Sequence, residues 1–416
     1  MTAAHAGYDS EQVPLGGGAA ICERLCRSWS GRPVTLLGSG PQAPPGVNYR
    51  QFDLLAGRHP ATLKELAYAR FCRRFERACT EAILAHPGPA VVLSHDVSEG
   101  PDFARLAGAG IPSTCILHVD VVEFFCRMYL RGWVRPEWAT ALHRRTRRWP
   151  IWPDVLRLVL DKQADAAFHS HLVAPSPGMR GPLERCYFSP RVAVIPWGSQ
   201  PPPSPSELEP VRAQLRQEWS LGTSPLLVTL SRISPEKGQD ILLQALLQAE
   251  ERGQIPGPLT LAIIGSAAYM GGKAFFARLR GLASRLNRVR VIFPGHLGGL
   301  NKHAALSLAD LMVVASRHES YGLTTMEAMA VGLPVVALES HGTRATLAHG
   351  GGVLVDSPEQ LWPSIQALLG APARRQELSR QALELATRET FEQASERLYE
   401  LLQLSARQPE RPGRAR

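Results

Sequence analysis

The sequence predicts an α/β protein built from two doubly wound parallel-sheet domains. Three observations carry that expectation: short β-branched runs alternate with helix-length segments through the second half, the same rhythm recurs more faintly in the first half, and a Pro-rich run separates the two. Strand-helix alternation of this kind places the strands in one parallel sheet with helices on both faces. A chain of 416 residues, 44% of them hydrophobic, is long enough for two domains with a core each.

In the first half, strands are expected at residues 34–37, 90–93, 113–118, 166–169 and 192–195. The first fifteen residues read as a polar start without a strand, and Gly16, Gly17 and Gly18 follow it either as a close backbone approach to a ligand or as a plain flexible turn. Residues 196–205 read as a linker, and 210–219 as the helix after it. Domains are therefore expected at 1–205 and 206–405, with 406–416 a disordered polar tail. In the second half, strands are expected at 226–230, 259–264, 289–293, 311–315, 333–338 and 353–355, with helices at 239–252, 273–286, 302–308 and 324–331. Ligands of doubly wound sheets bind beyond the carboxyl ends of the strands, so the loops there are where chemistry is sought.

Lys and Arg exceed Asp and Glu to a net charge of +9, which favours anionic partners: phosphorylated small molecules, acidic lipid surfaces or nucleic acid. No apolar run reaches the roughly 18 to 20 residues of a membrane span, and the start lacks a signal-peptide core, so a cytoplasmic protein is expected. The 7 cysteines include no C-x-x-C pair, which points to reduced, buried thiols and to neither a disulfide framework nor a zinc site.

Two segments carry the chemistry. In LLVTLSRISPEKGQD, residues 226–240, Arg232 leaves the strand end and Lys237 falls in the first turn of the next helix, with Ser234 as its N-cap and Pro235 as its first residue. A cation there opposes the helix dipole unless an anion sits nearby, so Arg232 and Lys237 suggest a phosphate clamp. In RHESYGLTTMEAMAVGLPVVA, residues 317–337, Glu319 and Glu327 flank a turn at Gly322, with a helix from Thr324. Thr324-x-x-Glu327 also fits a capping box, with Met326 and Met329 facing the core. Two carboxylates beside free helix N–H groups can accept from sugar hydroxyls while the helix start and Gly322 receive a phosphate. Those are the needs of a nucleotide-sugar donor. No Asp-x-Asp occurs, so no metal is expected to hold the diphosphate.

In the first half, His95 and His118 end apolar runs, and His169 follows another. A lone His in such a place serves structure as readily as chemistry. Residues 127–157 are rich in Arg, Trp and Pro. They fit a solvated helix face, a peripheral contact with anionic membrane, or a lid over the acceptor. Nucleic-acid binding comes last, because no recognised binding module accompanies the charge.

SRISPEKG and HESYGLTTMEAMAVGLPVVA, with FPGHL between them and VIPWG before the linker, resemble the retaining glycosyltransferases of family 4, which have the GT-B fold. The resemblance is close over residues 190–356 and loose before them. It implies two Rossmann-like domains facing a central cleft, the first on the acceptor side and the second holding the donor. Arg232 and Lys237 would bind the donor diphosphate, Glu319 the transferred sugar and Glu327 the ribose. The backbone of Leu323 and Thr324 would meet phosphate, the loop at His296 and Leu297 would edge the base, and Gly16 and Gly17 would approach the diphosphate. His118 would be the cleft histidine. The chain departs from the family pattern at Trp197, where VIPNG has Asn, at HGTRAT in place of Gly-Gly-x-x-Glu, and at the glycines without a preceding strand.

The implied activity is transfer of a sugar from a nucleotide-diphosphate donor to an acceptor hydroxyl with retention, in carbohydrate biosynthesis, without a metal or other cofactor. With no obvious carboxylate nucleophile, front-face attack is favoured. The expected partners are the donor and a glycan, lipid or small-molecule acceptor. The alternative is a non-catalytic GT-B subunit that binds a sugar nucleotide or serves assembly.

Overall fold

The computed structural model describes residues 1–8, 16–63, 65–130, 132–147, 149, 154–187, 191–268 and 271–407. These form two compact units: residues 1–8 and 16–196 together with 394–407, and Trp197–Gln393. All 7 cysteines are buried free thiols.

The N-terminal unit carries strands β1 (Thr35–Gly38), β2 (Asn48–Gln51), β3 (Val92–His95), β4 (Ser113–Ile116), β5 (His171–Ala174) and β6 (Val192–Val194). β1 pairs with β2, and β3 to β6 pair in sequence order, all parallel. The polar start holds no strand among its described residues, as read, but an isolated bridge in it joins the two groups. Thr2 bridges Leu37 and Ser94 in parallel, its N–H donating to Leu93 O at 2.8 Å while Ala3 N–H donates to Leu37 O at 3.0 Å. Ala3 and Ala4 are buried there. A slot flanked by strands on both sides takes small residues, so no β-branched pattern announces it.

Two other expectations fail in this unit for identifiable reasons. Residues 166–169 close the helix Asp154–His169, and the strand follows at β5. Ala166 and Ala167 face the core from the helix, and a short apolar run does not distinguish strand from buried helix by periodicity. β2 is an edge strand with largely exposed, polar side chains, so it has no hydrophobic signature.

The last helix, Phe391–Arg407, extends past the residue 406 where a tail was expected, and residues 408–416 lie outside the described residues. From Ala394 onward it belongs to the N-terminal unit, not to the second domain. The Tyr399 and Trp29 rings meet edge-on at 5.5 Å, and the Ser395 and Ser28 hydroxyls are 2.7 Å apart. This long-range return leaves no trace in local sequence.

The C-terminal unit carries β7 (Leu226–Leu230), β8 (Leu259–Ile264), β9 (Val289–Gly295), β10 (Leu311–Val314), β11 (Val335–Leu338) and β12 (Gly352–Val355). Their order is β12-β11-β10-β7-β8-β9, all parallel. β7, first in the chain, sits in the middle, and the winding reverses between it and β10. That reversal opens a crevice at the carboxyl ends of these two strands. Every residue of β7, β8, β10 and β11 is buried, which is why their apolar runs are continuous. The helix expected at 210 begins at Pro205, because Ser204 and Glu207 form a capping box there.

Candidate functional site

The loop after β7 is fixed by backbone needs before any ligand is considered. Pro235–Lys237 makes a single 3-10 turn, Gly238 takes φ 63, and the helix Gln239–Glu251 starts beyond it. A Cβ on Gly238 would stand 1.9 Å from Ala315 O, so only glycine lets this turn pass the end of β10. Lys237 therefore lies in a turn ahead of the α-helix, not within its first turn. Ser234 does not cap through its side chain. Its hydroxyl donates to Glu236 Oε1 at 2.6 Å, and the Arg232 guanidinium reaches the same oxygen at 3.3 Å. The buried Glu236 carboxylate outcompetes the backbone for that hydroxyl. Gln239 donates to Arg232 O at 2.8 Å and so fixes the strand exit.

The loop after β10 is stitched to this turn. Arg317 N–H donates to Glu236 O at 2.8 Å, and the Arg317 guanidinium grips Asp240 through two bonds of 2.8 and 2.9 Å. Glu319 then accepts from Lys237 Nζ at 2.7 Å. Gly322, at φ 95, opens the helix Leu323–Ala330, whose first turn has no side-chain cap. The capping box at Thr324 and Glu327 is not formed. The helix starts one residue early, Thr324 falls inside it, and Glu327 accepts from Lys302 Nζ at 2.9 Å instead. Met326 and Met329 are buried, as their spacing implied.

The two sequence departures in this unit are structural. In HGTRAT, the helix His341–Thr346 is capped by Ser340, and Gly342 N–H donates to Glu319 O at 2.8 Å. A Cβ on Gly342 would come within 2.6 Å of the Tyr321 backbone. Trp197 is buried beside Phe391, and Gly198 N–H donates to the Tyr321 hydroxyl at 2.7 Å. Both features hold the loop that carries Glu319. His296 and Leu297 follow β9, and His296 Nε2 is buried without a hydrogen-bond partner among the described residues.

Sequence reasoning missed Glu236, Gln239, Lys302, Arg317 and Gly342. Lys302 sits in an unremarkable helix, Gly299–Leu308, and meets Glu327 only through tertiary packing. The assembled site offers Arg232, Lys237 and Lys302 as cations, interleaved with Glu236, Glu319 and Glu327. Fixed donors next to fixed acceptors can hold an anion and hydroxyl groups together.

In the N-terminal unit, His118 follows β4, and its Nε2 lies 3.1 Å from Nδ1 of His95. Burial drives His118 down to about 4 and His95 well below its usual value, so both rings are neutral at neutral pH. Gly16, at φ 88, precedes the helix Gly17–Ser28, and a Cβ on Gly18 would touch the His118 ring at 3.0 Å. The glycines thus open a helix that is laid against His118, and are not a plain flexible turn. His169 lies at the other end of the sheet, where its carbonyl accepts from Ser113 at the start of β4. Among the described residues, no group of three or more His, Cys, Asp or Glu side chains is placed to hold a metal ion, and no helix is long and apolar enough to cross a membrane.

Residues 211–385 match the family model described as Glycosyl transferases group 1. The chain superposes on sucrose-phosphate synthase from Thermosynechococcus elongatus with a TM-score of 0.73, over 97% of each chain and at 18% identity. The fold is GT-B. The chain is 35% identical to a D-inositol 3-phosphate glycosyltransferase of Segniliparus rotundus over 45% of this chain and 42% of that protein. It is 32% identical to a GDP-mannose-dependent alpha-(1-6)-phosphatidylinositol monomannoside mannosyltransferase of Mycolicibacterium smegmatis over 39% and 43%. The match thus spans about two fifths of the length of these curated relatives. Both stretches of sequence that carry the site, 231–238 and 318–337, fall inside the matched family region.

Proposed function

We propose that this chain is a metal-independent glycosyltransferase that moves a sugar from a nucleoside-diphosphate donor to an acceptor hydroxyl with retention. The observation that carries the reading is the Lys237–Glu319 pair, cation on carboxylate at 2.7 Å, at the switch point of the C-terminal sheet. Arg232, Lys237 and the helix start at Gly322, Leu323 and Thr324 take the diphosphate, and Glu319 takes hydroxyls of the transferred sugar. Glu327, oriented by Lys302, takes the ribose, and His296 and Leu297 edge the base. The group 1 match and the GDP-mannose dependence of one relative support this assignment. In the N-terminal unit, the helix start at Gly16 and Gly17 and neutral His118 offer hydrogen bonds to a ligand.

In the reaction, the bond between the anomeric carbon and the diphosphate oxygen breaks and a bond to the acceptor oxygen forms on the same face. The acceptor proton passes to the departing phosphate oxygen. Arg232 and Lys237 stabilise the charge that develops on the leaving group, in positions fixed before reaction. The test is a thermal-shift screen with sugar nucleotides, followed by release of nucleoside diphosphate with an acceptor panel that includes inositol phosphates and inositol lipids. A stabilising donor and acceptor-dependent release that EDTA leaves unchanged are expected. No stabilisation by any sugar nucleotide contradicts donor binding. Binding without release for every acceptor favours the non-catalytic alternative, and loss of release in EDTA restored by a divalent ion overturns metal independence.

A further inference from the structure

The helix Pro136–Thr146 of the N-terminal unit is turned inside out. Its inward face is polar: Thr140, His143 and Thr146 are buried, with His143 Nε2 3.1 Å from Asp161 and the Thr140 and Thr146 hydroxyls donating to backbone carbonyls one turn back. Its outward face is apolar. Trp138, Leu142 and Trp149 stand 61%, 51% and 60% exposed. With Arg145 they fall at helical spacing on a single stripe, and Trp149 lies just past the helix end. The preceding loop adds Tyr129 and Trp133, the latter 84% exposed. Large apolar side chains are exposed singly on most proteins, but a run aligned on one face marks a contact surface.

Charge identifies what the surface meets. Arg127 pairs with Glu123 and Arg147 with Asp161 and Asp165, Arg144 donates to Cys186 O, and the one nearby acid of the helix, Glu137, is bound by Arg185 at 2.7 Å, so the cations beside the stripe are Arg135 and Arg145. Arg135 stacks over the Trp138 ring at 5.5 Å. A second copy of the chain, docking on this face by a two-fold axis, would set these guanidinium groups against one another. Tryptophans flanked by arginines suit the boundary between acyl chains and anionic headgroups, where the ring buries its apolar body and the cation meets phosphate. We infer that the face of Tyr129, Trp133, Trp138, Leu142, Arg145 and Trp149 docks on an anionic lipid bilayer, lying in its surface without crossing it. The inference does not depend on the donor site.

Vesicle sedimentation tests it with the full chain, comparing phosphatidylcholine alone with phosphatidylcholine containing about 30 mol% phosphatidylglycerol. Binding to the anionic vesicles, weakened by salt and accompanied by a blue shift of tryptophan emission, is expected. The combined variant Trp138→Ser, Leu142→Ser, Trp149→Ser should lose roughly tenfold or more in vesicle partitioning with an unchanged melting temperature, since these side chains face outward. Arg135→Glu with Arg145→Glu should lower anionic binding with no change of the apolar stripe, and serves if the triple variant does not fold. Absence of binding by the unmodified chain, or equal binding by all variants, overturns the proposal. Concentration-dependent self-association that the triple variant abolishes also overturns it, assigning the face to a second copy.

Discussion

The two units differ in the polar groups they place near their strand ends. In the C-terminal unit, the ionic groups at the strand ends pair across elements, Lys237 with Glu319 and Lys302 with Glu327, each side chain retaining some contact with solvent. In the N-terminal unit, burial works against charge: His118 is held down to about 4, His59 to about 4, and the Asp96 carboxyl is pushed up to about 7. One unit presents ionic groups paired across elements, and the other presents imidazoles held neutral by burial.

The largest expected effect strikes the charged side of that contrast. Lys237→Ala should cut turnover by roughly 10²–10³-fold, about 3 to 4 kcal/mol in transition-state stabilisation, with an intact fold. Arg232→Ala should act in the same direction. Steady-state kinetics on both variants decides, and near-normal turnover would leave the pair merely structural.

The neutral side responds to pH. His118 binds a proton near pH 6.5 when unfolded but only near 4 when folded, so between those values the unfolded chain holds more protons and stability falls with acid, by about 3 kcal/mol for this ring. His95 and His59 act in the same sense. Asp96 acts oppositely, favouring the folded state below pH 3.8 and losing that contribution as pH rises towards 7. His143 and His171 are also held low by burial, and Asp120 and Asp165 are also pushed up, so five imidazoles against three carboxyls leave a net acid sensitivity. Hydrogen exchange read by peptide should show N-terminal segments losing protection first between pH 6.5 and 4, and uniform loss across both units would break the contrast.

Gly238→Ala should destabilise the C-terminal unit by roughly 2 kcal/mol or more, because both the left-handed φ and the Ala315 carbonyl oppose a Cβ. Denaturant unfolding measures it. Thr324→Ala should change stability by less than about 0.5 kcal/mol, since the hydroxyl caps nothing, whereas a working N-cap would cost about 1 kcal/mol. The same unfolding experiment separates the two.

The C-terminal unit is legible because its strands are buried on both faces and announce themselves as apolar runs: 226–230 and 259–264 are found as read. Lys237, Glu319 and Gly322 are legible because they sit in loops at strand ends, where position alone suggests chemistry. Lys302 and Gly342 are not, since their roles come from packing between segments distant in sequence. Ser234 and Thr324 mislead for a related reason. Each has the residue type of a cap, but the Glu236 carboxylate captures the first hydroxyl and an early helix start at Leu323 bypasses the second. In the N-terminal unit the bridge at Thr2 and the final helix are set by neighbours that local sequence does not name.

The central claim is that the C-terminal unit divides one donor between two carboxylates. Calorimetric titration of Glu319→Gln and Glu327→Gln with a nucleoside diphosphate and with its sugar conjugate tests it most directly. A charge-assisted hydrogen bond is worth roughly 1.5 to 3 kcal/mol, so about tenfold or more in affinity is at stake. Glu319→Gln should weaken the sugar nucleotide and spare the diphosphate, and Glu327→Gln should weaken both. Unaltered affinity for both ligands in both variants would contradict the account.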